Sequence, residues 1–127
     1  MATVGYSFEE LEVYRAAREY RRKIYQLVKM LPAEERYNLK SQMQRAAVAV
    51  TNNIAEGHGR FHFQENIQFL RVSRGSLEEL IDDLNVCIDE GYIDGKEVTQ
   101  LKLESYALLK RLNGYLAYLR NRQSAAH

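Results

Sequence analysis

From Asp94 to Leu119 the chain reads DGKEVTQLKLESYALLKRLNGYLAYL. Val98, Leu101, Ser105, Leu108, Leu112, Tyr115 and Leu119 recur at spacings of three and four without a slip. With 3.6 residues per helical turn, such spacing puts all seven on one stripe. Leu109, Leu116 and Tyr118 widen the apolar surface beyond that seam. Asp94, followed three residues later by Glu97, is a cap for the first unpaired amides. The spacing predicts a helix over about 95–120, with a frayed tail at 123–127.

A stripe of this kind must be covered, and three further segments offer the cover. Val13, Ala17, Tyr20, Ile24, Leu27 and Leu31 form one stripe of a helix over about 8–31. Ser7 with Glu10 reads as its capping box. Pro32 ends it or opens the next, because proline has no amide hydrogen to donate. The second helix, about 33–56, carries Leu39, Met43, Ala46, Val50 and Ile54. Ala46, Ala47, Ala49 and Ala55 crowd it and predict close approach by a neighbour. Gly57 and Gly59 are expected to stop it in the left-handed geometry of a helix C-cap. The third helix, about 64–90, carries Leu70, Ser73, Leu77, Leu80, Ile81, Leu84, Cys87 and Ile88. Gly75 lies within it, costs about 1 kcal/mol against alanine, and is expected to admit a close neighbour. Gly91 ends it.

Long helices joined by a few residues must fold back on one another. The expected fold is all-α: an antiparallel up-down-up-down four-helix bundle, one domain over 1–127. No internal repeat or low-complexity segment interrupts it. Nine tyrosines and four phenylalanines are more than one small core holds. Tyr14, Tyr25, Tyr106 and Tyr118 fall off the core stripes, and tyrosine suits interfaces, so a homo-oligomer is expected.

No apolar run approaches the ~20 residues that a membrane span needs. The first residues lack the basic-then-apolar layout of a signal peptide. One cysteine, Cys87, cannot form an internal disulfide. These features predict a cytoplasmic protein. Net charge is +1, but its distribution is uneven. Between Glu78 and Glu97 stand eight acids and one base, which leaves the remainder at +8. One side should therefore be acidic and another basic.

No nucleophile motif, phosphate-binding glycine loop or zinc spacing is present, so no catalytic residue and no cofactor are expected. Glu56, His58, His62 and Glu65 could in principle hold a metal. The paired Glu-x-x-His signature of di-metal bundles is absent, however, and no metal is expected. Asn53 and Glu56 are polar residues beside core positions, with Arg45 upstream and Arg60 following. A carboxylate in such a place needs a partner, and arginine suits it. That cluster reads either as a network fixing the turn or as a contact point at one end of the bundle. Arg15, Arg22 and Lys29 lie seven apart opposite the first core stripe, with Arg18 beside them. Together with Arg120 and Arg122 they are the candidates for phosphate contacts.

Several stretches carry a resemblance. They are Phe8-x-x-Leu11-x-Val13-Tyr14-x-x-Ala17, then Pro32, Glu35, Tyr37 and Leu39, and Gln42-x-x-Arg45-Ala46-Ala47. Asn53-Ile54-Ala55-Glu56-Gly57-x-Gly59-Arg60 follows, with Phe69-Leu70 and Gly75-Ser76-Leu77-x-Glu79. On these residues the chain resembles the family of 23S rRNA intervening-sequence proteins, over about Phe8 to Leu119. Relatives often carry an aromatic between the two glycines, where His58 stands here. The resemblance implies a four-helix bundle, a ring-shaped homopentamer and no catalytic residues. It marks Arg45, Asn53, Glu56, Gly57, Gly59 and Arg60 as family-motif positions. Some family members are encoded within large-subunit rRNA gene insertions, and a related protein assists a retroelement reverse transcriptase through a basic surface. The expected function is a non-catalytic oligomeric scaffold that binds RNA or DNA weakly without reading sequence, or that associates with a ribonucleoprotein, the near-neutral total charge arguing for weak binding. The alternative is an adaptor for a protein partner, such as a polymerase, with no nucleic-acid role. A small-molecule or metal enzyme in the bundle core ranks third.

Overall fold

The computed structural model describes residues 7–126, without the side chain of Ala126. Among these residues there are four α-helices and no strand: α1 Glu12–Val28, α2 Leu39–His58, α3 Phe63–Asp89 and α4 Gly95–Ala126. Each helix packs on two neighbours, α2 most extensively on α3. Of the four alanines that predict close approach to α2, Ala46 and Ala47 are buried, while Ala49 and Ala55 are half-buried on its outer side.

Polar contacts across the helices record their directions. Arg74 donates to Asn113 at 3.0 Å and Lys102 to Asn85 at 2.7 Å, so rising numbers on α3 meet falling numbers on α4. On the other side of α3, Ser73 donates to the Val50 carbonyl at 2.7 Å while Gly57 meets Asn66. α2 and α3 are therefore antiparallel as well. Between α1 and α4, the Tyr20 and Ser105 hydroxyls lie 2.6 Å apart inside the core.

The stripes of α1 and α2 are buried as expected, every residue of both included. α3 departs at Ile88, which is 38% exposed. α4 departs at its far end. Leu116, not Tyr115, enters the core, so the seam steps by four from Leu112 before reaching Leu119. Tyr115 is half-buried, and Tyr118 stacks on it at the surface with centroids 6.2 Å apart.

The helix ends differ more. α1 starts at Glu12, not Phe8, because Phe8–Glu10 is a separate 3-10 turn and Leu11 is extended. Ser7 accepts the Glu9 amide at 3.1 Å, but the Glu10 carboxylate pairs with Arg15 at 3.0 Å. The reciprocal arm of the capping box is thus diverted. After Pro32 a second 3-10 turn, Ala33–Glu35, delays α2 to Leu39 rather than 33. The Glu35 carboxylate holds this junction. It accepts the Leu39 amide at 3.2 Å and the Asn38 side chain at 3.1 Å, and on its other oxygen the Tyr92 hydroxyl at 2.7 Å. These bonds hold the Glu35 carboxyl below its ordinary value, and they push the Tyr92 hydroxyl up to about 12.

Neither Gly57 nor Gly59 caps a helix in the left-handed region. α2 runs through Gly57, and Gly59 has φ −77°. Gly91 alone among the described residues takes a positive φ, 66°. There the amides of Tyr92 and Gly91 bond back to the carbonyls of Cys87 and Ile88, both at 3.0 Å, which closes α3 in a Schellman motif. α4 continues through the stretch expected to fray, as far as Ala126, and Gln123 is half-buried there. His127 lies outside the described residues. No described helix is long and apolar enough to cross a membrane.

Candidate nucleic-acid interface

The Asn53–Arg60 stretch forms the last turn of α2 and its exit. Arg60 pairs with Glu56 at 3.1 Å, one helical turn away, and its guanidinium lies 4.8 Å from the Phe69 ring centroid on α3. Asn53 donates to the Ala49 carbonyl at 2.8 Å. Arg45 does not join them, since it turns back to Ser41 at 2.9 Å. The close approach expected at Gly75 is absent: a β-carbon there would meet nothing within 4 Å. It occurs at Gly57, which is buried against Asn66 and Phe69. The motif therefore seats α2 on α3. On its outer side Asn52, Ala55, Glu56, Gly59 and Arg60 line an open depression of about 610 Å³.

Among the described residues no three His, Cys, Asp or Glu side chains converge in a way that could hold a metal. Cys87 is fully buried, and burial pushes its thiol up to about 11. It packs as a core residue. Asp83 is the unusual interior group. It is 6% exposed, and one of its carboxylate oxygens has no hydrogen-bond partner. Burial, then the charges of Glu79 and Asp82, push it up to about 6.

The six candidate bases do not share one surface. Arg15, Arg18, Arg22 and Lys29 are exposed on α1, but Arg15 is paired with Glu10 and Arg22 with Glu19 at 3.1 Å. Arg122 lies over the Tyr118 ring at 5.9 Å. Arg120 stands apart from the α1 group. With Gln64, Gln68, Arg71, Gln123 and Ser124 it lines a groove of about 490 Å³ between the start of α3 and the end of α4. No acid lines that groove.

Arg71, Arg74, Lys110 and Arg111 were not among the sequence candidates. The signal for them is a gap. No acid occurs in residues 66–77 or in residues 105–127. The antiparallel pairing of α3 with α4 lays these two stretches side by side, and the Arg74–Asn113 bond ties them together. The acid-rich 78–97 stretch occupies the opposite end of the same helix pair.

Fold and surfaces together define an all-helical bundle whose polar features lie on outer faces and in shallow grooves. The sequence profile of the 23S rRNA-intervening sequence protein family matches residues 9–114, and the chain belongs to that family. A crystal structure from Bacteroides thetaiotaomicron, of a protein of unknown function from the S23 ribosomal protein family, has the same fold. It superposes with a TM-score of 0.76 at 21% identity, covering 82% of this chain and 97% of that one. No curated protein matches the chain.

Proposed function

We propose that this chain is a non-catalytic, oligomeric scaffold, an up-down-up-down antiparallel bundle that binds RNA or DNA through charge and not through base identity. The observation that carries the reading is the acid-free strip on α3 and α4. Arg71, Arg74, Lys110, Arg120 and Arg122 stand there without an acid in either stretch, whereas Arg111 lines the α1–α4 side beside Glu19 and Glu104. Near-neutral total charge does not oppose this, because the compensating acids sit at the far end of the same helices. Bases facing phosphates gain affinity by releasing condensed counterions, and the gain carries no sequence information. The α1 arginines contribute less in this reading, since two of them already face glutamates.

A homo-oligomer is supported by exposed Tyr25, Tyr106 and Tyr118, and a ring of five by the family resemblance. A cytoplasmic location suits the single buried thiol. The adaptor reading retains one specific support. Tyr37 is 86% and Phe61 100% exposed, at the two connections that flank α2, and Tyr37 meets the guanidinium of its neighbour Arg36 at 5.3 Å.

Gel shifts with structured RNA and with DNA at about 50 and 200 mM salt test the main reading. Five phosphate contacts predict a loss of about 500-fold in affinity across that range. Arg71→Glu with Arg120→Glu should abolish binding, and charge reversal of Arg18 and Lys29 should weaken it much less. Absence of any shift at low salt would sink the reading in favour of the adaptor.

A further inference from the structure

We infer that the groove between the start of α3 and the end of α4 holds the terminal phosphate of a polynucleotide strand, clamped between Arg71 and Arg120. This rests on the nucleic-acid reading above and adds which group of the nucleic acid this groove takes.

Several arginines of the fold are committed elsewhere. Arg15, Arg22 and Arg60 face glutamates, and Arg74 is bonded to Asn113. Arg71 and Arg120 have no hydrogen bond, ion pair or ring contact among the described residues. Both nevertheless line one groove, and no acid lines it with them. The register set by the Arg74–Asn113 bond lays Gln123 against Gln64 and Arg120 against Ile67, and Arg71 stands about one turn further along α3. Two like charges facing one groove from adjacent helices favour an anion between them, and the guanidinium fork suits phosphate oxygens.

Length and charge decide between the end of a strand and its middle. Gln64 and Arg71 are seven residues apart, which is ~10 Å along the helix, the length of about three stacked nucleotides. Seven residues beyond Arg71, on the same face, stands Glu78, and the register puts Asp82 after it, beside Tyr106. A strand laid along the whole seam would carry its phosphates past both acids. A strand that ends in the groove avoids them and leaves over the end of the bundle, where α3 begins at Phe63 and α4 finishes at Ala126. A terminal phosphate monoester carries about −1.5 to −2 charges at neutral pH, whereas an internal phosphodiester carries a single one. Two unpaired guanidiniums therefore match the end of a strand and would be only half answered by its middle. Gln64, Gln68, Gln123 and Ser124 add neutral donors and acceptors for the oxygens of the terminal nucleotide.

Fluorescence anisotropy of the full chain tests this with an internally labelled twelve-nucleotide single-stranded RNA, prepared with a 5′ phosphate, with a 3′ phosphate or with hydroxyls at both ends. At least one phosphorylated form should bind about fivefold or more tightly than the hydroxyl-ended form. Arg71→Gln and Arg120→Gln should each bring that ratio close to one, whereas Lys96→Gln should leave it unchanged. Both arginines are exposed and make no contact that holds the fold, so the variants should melt with the wild type. Adenosine monophosphate alone should compete far more weakly than the phosphorylated strand. A wild-type ratio near one, a ratio that survives in either arginine variant, or a monophosphate that competes as tightly as the strand overturns the inference and leaves the charge-based reading standing. If no oligonucleotide binds the wild-type protein at low salt, both fall.

Discussion

The side-chain oxygen of Asn66 stands 2.5 Å from the point where a β-carbon on Gly57 would lie. The Asn66 carbonyl and the Phe69 β-carbon are each 3.1 Å from the same point. α3 is thus seated on bare backbone of α2 at this level. Asn66 Oδ1 is buried without a hydrogen-bond partner, and the glycine α-carbon is its neighbour, a geometry in which weak C–H···O contacts form.

Gly57→Ala should destabilise the protein by about 1–3 kcal/mol, because backbone as well as side chain blocks the new methyl. Gly75→Ala is the control. Space is open there, so the better helix propensity of alanine should stabilise by about 0.5–1 kcal/mol. Chemical denaturation of the two variants should give opposite signs, and equal signs would contradict the packing described.

Tyr20 and Ser105 make a second asymmetric pair. The Ser105 hydroxyl donates to the Leu101 carbonyl at 2.9 Å, so the proton between the two hydroxyls comes from Tyr20. Tyr20→Phe leaves Ser105 with its carbonyl partner and should cost about 1 kcal/mol. Ser105→Ala leaves a buried phenol with no acceptor and should cost more, about 2 kcal/mol. The order of the two midpoints in urea is the measurement.

Asp83 should make stability fall as pH rises. Its folded value, about 6, lies above the ordinary 3.8, so between these values the native state binds the proton more tightly than the unfolded chain. Stability attributable to this group is present below about pH 4 and is lost as pH climbs through 6. Asp83→Asn should raise stability at pH 7.5 by about 1 kcal/mol and flatten the profile between pH 4 and 6. A variant with an unchanged slope there would exclude Asp83 as its source.

How much was legible in the sequence varies with how local the cause is. Burial on α1 and α2 could be read from spacing alone, because every stripe residue answers to the periodicity of its own helix. The start of α2 could not. It is set by Glu35, and the hydroxyl that orders that carboxylate belongs to Tyr92, 57 residues away. Gly57 reads in the sequence as a helix stop and Gly75 as a helix-interior glycine, and the close approach falls at Gly57 because that is where α3 crosses α2. The seam of α4 slipped from Tyr115 to Leu116 because leucine fills the closing core better than a ring whose hydroxyl needs a polar neighbour. The basic groove was missed for another reason. Arginines recur at regular spacing along α1, whereas the informative pattern is two stretches lacking carboxylates, which become one surface only once α3 and α4 are paired.

Because the acid-rich and acid-poor halves lie at opposite ends of the same two helices, a molecule with almost no net charge carries a large permanent dipole moment. Near a polyanion it experiences a torque before it experiences much attraction, and it arrives end-on. In the nucleic-acid reading proposed above, the far pole would then face outward and present negative charge to the next arrival, which would limit how densely copies could line one polyanion.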